Sequence, residues 1–179
     1  MRFKKLFALA GVLFFAAACA SAPKSACPSW VTQGSGAFGG DSGNVLYGVG
    51  TASNIKNFAL LKKTADNRAI NELAAQMEVT SKSLMKDYMA STSADDKVSE
   101  EQHVEQGIKT VVNQTLTGVM IVDRCDDTER GNMHSLARLD FDRFKDLLDK
   151  SESLSERVKE HVKKNADKVF DELKEETSK

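Results

Sequence analysis

Few side chains in this sequence stand at the spacings that chemistry demands. Gly48-Val-Gly-Thr-Ala-Ser53 follows a strand-like run and precedes a helix-like one, which partly imitates a dinucleotide-binding turn. The third glycine is missing and no second parallel strand ending in an acid follows, so the glycines read as letting the chain turn onto the helix. Ser83-Leu-Met-Lys86 has the Ser-x-x-Lys spacing of penicillin-recognising serine enzymes. Neither a Ser-Asp-Asn nor a Lys-Thr-Gly accompanies it, and such enzymes need a much larger fold. His103, His134 and His161 fall in separate elements without ligand spacing and read as surface or rim residues. Asp123, Asp126, Asp127 and Glu129 gather negative charge in a turn that could hold a weak calcium ion, but the EF-hand spacing is absent and an acidic turn explains them. No serine, histidine and acid assemble into a triad. The expectation is a protein without catalytic residues, metal, cofactor or small-molecule substrate; a small periplasmic ligand carrier or hydrolase is the alternative.

Cysteine carries the stronger signal. Met1 to Lys5 holds three positive charges, Leu6 to Phe15 is a nearly unbroken apolar run, and Ala16-Ala17-Ala18 places small residues directly before Cys19. That is the layout of an export signal over residues 1–18, and its apolar run is shorter than the roughly 20 residues of a membrane-spanning helix. Ala-Ala-Ala-Cys resembles the lipobox of bacterial lipoproteins, with Ala16 where leucine is usual. It implies a cut before Cys19, lipid on the thiol and the new amine, and a lipidated tether over residues 19–29. Several acyl chains hold a protein stably on a bilayer where one does not. A cut after Ala18 or Ala20 that releases a soluble protein is the alternative. Ala20, in place of aspartate, resembles the outer-membrane sorting signal.

Cys27 and Cys125 are then left over, and an oxidising compartment favours pairing them. Closing a loop of that length is worth about 4–5 kcal/mol as an upper figure. Two unpaired buried thiols are the other reading. No Cys-x-x-Cys occurs, which leaves no support for a redox pair or zinc knuckle.

The elements that must hold these residues follow from composition and periodicity. The 179 residues are 41% hydrophobic and 28% charged, enough for one domain with a core. Formal net charge is -1; removing residues 1–18, with Arg2, Lys4, Lys5 and no acid, leaves -4. A mildly acidic chain with lysines interleaved among acids excludes nucleic acid as a partner. Both prolines, Pro23 and Pro28, lie just beyond Cys19, so the chain after Trp30 is free to be regular.

Gly34 to Gly43 reads as a loop, with Trp30 and Val31 packing on the domain. Asn44 to Ala52 reads as a strand with Val45, Tyr47 and Val49 on one face. A long amphipathic helix follows on Phe58, Leu61, Ala65, Ala69, Leu73 and Met77, capped by Asn57 and running as far as Tyr88. Ser91 to Asp96 breaks it, and Val98 to Gln114 is a second helix with Val104, Ile108, Val111 and Val112 inward. Thr115 to Cys125 and Met133 to Asp140 make a hairpin across a turn at residues 126–132. Phe141, Phe144 and Leu148 start another helix that packs on the sheet. The fold expected over residues 30–149 is α+β: a two-layer domain with a small antiparallel three-stranded sheet against long amphipathic helices. Residues 150–179 read as a charged, solvated amphipathic helix with Leu154, Val158, Val162, Val169, Phe170 and Leu173 as a sparse stripe. A coiled-coil contact with a partner or second copy is its alternative.

The order of a lipobox, Pro28-Ser-Trp-Val31, Tyr47-Gly-Val-Gly-Thr-Ala52, Thr64-Ala-Asp-Asn-Arg-Ala69 with Glu72-Leu-Ala74, Thr115-Leu-Thr-Gly-Val-Met-Ile-Val-Asp123 and Leu136-Ala-Arg-Leu-Asp140 resembles the Lpp-twenty family of bacterial outer-membrane lipoproteins. The resemblance covers roughly Pro28 to Asp149. It implies a lipid-anchored protein of the cell outer membrane with an envelope structural or assembly role, because the family's domain also resembles that of some flagellar accessory proteins. The partners implied are the lipid bilayer, through acylated Cys19, and an envelope protein or a second copy. No catalytic residue comes with the resemblance. Cys27, Cys125 and the charged tail depart from the family pattern.

Overall fold

A side chain starts the longest element. Asn57 Oδ1 accepts the Leu60 amide at 3.0 Å, satisfying one of the donors that a helix leaves free at its start. The computed structural model describes residues 27–38, 44–91 and 98–177; Cys19 and the export segment lie outside them. Along the chain stand α1 (Trp30–Gln33), a 3-10 turn (Gly34–Phe38), β1 (Val45–Ser53), α2 (Phe58–Ser91), α3 (Val98–Leu116), β2 (Met120–Asp127), β3 (Asn132–Asp140), α4 (Asp142–Asp149) and α5 (Glu156–Thr177). The fold is α+β, with an antiparallel sheet ordered β1-β3-β2.

β3 is the central strand: Gly50 pairs with Ser135 on one side, and Arg124 with Ser135 on the other. Its burial on both faces follows, with Met133 through Ala137 all enclosed. In β2 the register skips Val122, a one-residue bulge at the sheet edge. Thr115 and Leu116 still belong to α3, so β2 starts later than the sequence suggests and runs on to Asp127. The turn shrinks to residues 128–131 and places Gly131 at φ +65°.

The buried face of β1 is the one the periodicity did not favour. Leu46, Gly48, Gly50 and Ala52 are covered, while Val45, Tyr47 and Val49 are half-buried on the opposite face. Gly48 and Gly50 do not turn the chain; they lie inside the strand, where α2 crosses at backbone contact. A Cβ on Gly50 would sit 2.2 Å from the Ala65 carbonyl oxygen and the Ala69 nitrogen, and one on Gly48 2.5 Å from the Ala69 carbonyl oxygen. Ala65 and Ala69, both fully buried, are the matching small residues on the helix.

The rest of α2 extends past the sheet and joins a helical core. Leu73, Met77 and Leu84 pack there with Val104, Ile108 and Val111 of α3, inward as the spacing predicts, and with Phe141, Phe144 and Leu148 around α4. Phe58, expected inward, is 58% exposed. The stripe of α5 is not solvated. Leu154, Val158, Val162, Ala166, Val169 and Phe170 are all buried in this same core, and the Phe170 ring stacks on Phe141 at 4.6 Å.

Candidate functional site

Because the Phe141 amide donates to the Asn44 carbonyl, alternation turns the backbone groups of Tyr47, Val49 and Thr51 away from β3, toward the free edge of β1. Three α2 side chains cap that edge. Gln76 Nε2 donates to the Tyr47 carbonyl at 3.0 Å, the Val49 amide donates to Glu72 Oε2 at 2.6 Å, and Arg68 donates to the Thr51 carbonyl. The registers match: two strand residues advance about 6.8 Å and four helix residues about 6.0 Å. The helix backbone approaches closely enough for this because positions 48 and 50 carry no Cβ. Burial pushes the Glu72 carboxyl above its ordinary range, against the pull of the Val49 amide.

A second group ties α2 to the far strands. Asp66 accepts both Arg124 Nε at 2.8 Å and Arg124 Nη2 at 3.0 Å, and the Ser135 hydroxyl at 2.7 Å. Partial burial works to raise its carboxyl, but the bonds from Arg124 and Ser135 outweigh it and hold Asp66 low. Such a bidentate pair fixes direction as well as contact.

The opposite face of the sheet carries a strap. Cys27 is joined to Cys125 by a disulfide, with Cα atoms 5.7 Å apart, Trp30 Nε1 donates to Asp123 at 2.9 Å, and Phe38 stacks on Tyr47 with centroids 4.0 Å apart. Residues 27–38 thus cover the face that α2 does not. Beneath lies His134, which is buried, shares a 2.8 Å hydrogen bond with the Thr51 hydroxyl and is held low chiefly by that burial.

Between α2 and α3 runs an apolar groove of about 710 Å³, floored by Ala74, Met85, Val112 and Leu116 and rimmed by the pairs Glu78–Lys82 and Glu105–Lys109.

The residues singled out from sequence scatter. Ser83 and Lys86 lie in the last third of α2, His103 is exposed, and His161 sits edge-on to Tyr88 at 5.5 Å. Asp123, Asp126 and Asp127 alternate along β2, and Glu129 is in the turn. Asp123 is engaged by Trp30, and Asp127 is held low by Arg130. Among the described residues no three metal-ligating side chains come together. Sequence reasoning missed the Arg68, Glu72 and Gln76 cap, whose i, i+4, i+8 spacing is the same as that of a solvated helix face.

A small α+β domain, strapped at its first described residue to a sheet edge and clamped by one long helix, is the class these features define. The profile of the LPP20 lipoprotein family matches residues 28–140, and the chain belongs to that family of bacterial membrane-associated lipoproteins. No curated protein matches the chain. The matched region stops at Asp140, so α4 and α5 lie beyond it while supplying much of the core.

Proposed function

We propose that this chain is a noncatalytic lipoprotein of the outer membrane. Residues 1–18 direct its export, lipid on Cys19 anchors it, and its role is structural or assembly-related, exercised by contact with an envelope protein. The observation that carries the reading is how the domain is hung. The strap fixes the chain's entry at Cys125, beside the Arg124–Asp66 pair, and α2 continues twenty-three residues from Asp66 to Met89, about 35 Å at 1.5 Å per residue. The α2–α3 groove, from Ala74 to Met89, therefore lies about 12 to 35 Å along the helix from the strapped end, on a face open to a partner. The shifted acids and histidine support a noncatalytic role: Glu72 serves the β1 edge, Asp66 the far strands, Asp127 the turn and His134 the strand pair, and Glu78 is held low by its exposed i, i+4 pair with Lys82. An association with the flagellum is one form of this role and is implied by the family resemblance alone.

Metabolic palmitate labelling tests it, with membranes fractionated from cells making the native protein or Cys19→Ala. Labelled native protein in the outer membrane, with label and location lost together in the variant, is expected. An unlabelled, soluble native protein overturns the reading.

A further inference from the structure

The first turns of α2 present an unusual surface. Phe58 and Leu60 are 58% and 53% exposed, and the exposed Lys56, Lys62 and Lys63 flank them. Phe58 and Leu60, the first and third residues of α2, lie on different sides of its first turn and, with the lysines, make the tip of the helix both apolar and basic. Such a tip suits the bilayer interface, where apolar groups enter the acyl boundary and ammonium groups meet phosphate. Scattered apolar side chains are common on surfaces, so position decides.

Cys125 pairs with His134, and His134 with Thr51 of β1, whose chain reaches α2 through residues 54–57. The disulfide therefore ties the tether to the same end of the sheet as Phe58. Cys27 follows Cys19 by eight positions, and eight residues span at most about 28 Å. Ser91, at the other end of α2, is thirty-three residues or about 50 Å from Phe58. A tether of this reach keeps the disulfide end within about 28 Å of the anchor, so the Phe58 end is the end of α2 that the anchor brings within reach of the membrane. The hairpin acids Asp126 and Glu129 share this end but belong to the β2 edge, two strand spacings or about 10 Å across the sheet, and Asp127 is paired with Arg130.

We propose that this end of the domain docks on the surface of the membrane that holds its anchor, with Phe58 and Leu60 entering the interface and Lys56, Lys62 and Lys63 meeting anionic lipid phosphates. The proposal rests on the Cys19 anchor, and its failure is separable from failure of that anchor.

The lipidated protein, purified from membranes, is incorporated into vesicles of phosphatidylethanolamine and phosphatidylglycerol carrying brominated lipid. Flotation reports the anchor and tryptophan quenching reports docking. Trp30 is 5% exposed and supplies a shielded background. In Phe58→Trp the added emission is expected to fall by roughly half, as for a ring seated in the interface. In Val79→Trp, on the exposed side of the same helix and about 30 Å away, it stays unquenched. Adding Lys62→Glu and Lys63→Glu to Phe58→Trp restores the emission. Protein that floats with Phe58→Trp unquenched, or with both tryptophans quenched alike, overturns docking and leaves the anchor standing. Protein that does not float overturns both.

Discussion

Gly50 shows how one residue type carries two readings. In sequence, a glycine after a strand-like run signals a turn as readily as a close approach, and only the helix across the sheet separates the two. A Cβ at this position would stand 2.2 Å from the Ala65 oxygen and the Ala69 nitrogen, and since both are backbone atoms nothing flexible gives way. Gly50→Ala is therefore expected to cost about 3 kcal/mol by forcing α2 off the sheet, read as a lowered urea midpoint. A loss within experimental error would show that the helix stands further away. Glu72 gives a prediction with a pH sign. Its folded carboxyl titrates above the ordinary range because burial disfavours the charge, so its contribution is fully present below the unfolded pKa and is lost as pH rises through the folded one. As pH rises the buried charge becomes a growing cost, partly offset by the Val49 amide. Glu72→Gln keeps an acceptor for that amide and drops the charge. Its melting temperature should exceed wild type at pH 7, and the gap should close by pH 4; a variant less stable at pH 7 than at pH 4, each relative to wild type, refutes the assignment.

At the scale of elements, the sequence was most legible where a period repeats. Asn57 was readable as a cap, α3 as inward at Val104, Ile108, Val111 and Val112, and β2 with β3 as a hairpin, because local propensity and tertiary packing agree there. The face of β1 was not legible: Tyr47 and Val49 outweigh two glycines on any hydrophobic count, yet the glycines face the helix. Nor was the ladder of Arg68, Glu72 and Gln76, since polar residues at steps of four look like a solvated face until a strand edge lies beside them. By occupying the outward carbonyls and amide of β1, the ladder removes a pairing site that would otherwise recruit another strand. The strap guards the other face. The Cys27 and Cys125 pairing was readable from leftover thiols in an oxidising compartment, and in the structure it spans 98 residues of sequence. Cys27→Ser should lower stability by about 2–4 kcal/mol. Release of the strap should also shift Trp30 emission to the red while helical circular dichroism holds, since the helical core does not include residues 27–38. Unchanged Trp30 emission would mean that the Asp123 hydrogen bond and burial hold the strap without the disulfide.

For the whole molecule, the matter to decide is where the folding unit ends. A helix of alternating lysine and glutamate with a thin apolar stripe reads from sequence as solvated, because the stripe is too sparse to name its partner. The structure supplies one: Val158, Val162, Ala166 and Phe170 close over α2 and join α3 in covering the Phe141, Phe144 and Leu148 stripe, with Phe170 stacked directly on Phe141. Truncation after Asp149 uncovers the side of that stripe on which Phe170 stacks, and a fully enclosed Phe141 is incompatible with a loose tail. Phe170→Ala alone should cost about 3–5 kcal/mol, as for a buried aromatic whose cavity cannot collapse. Full removal of residues 150–179 should give a chain that aggregates or binds hydrophobic dye, although it keeps every residue of the 28–140 family match. Urea unfolding of the point variant and sedimentation of the truncated protein read these outcomes. A soluble, cooperative 149-residue chain would show that the sheet and α2 to α4 close their own core, and that α5 is an addition packed on a finished domain.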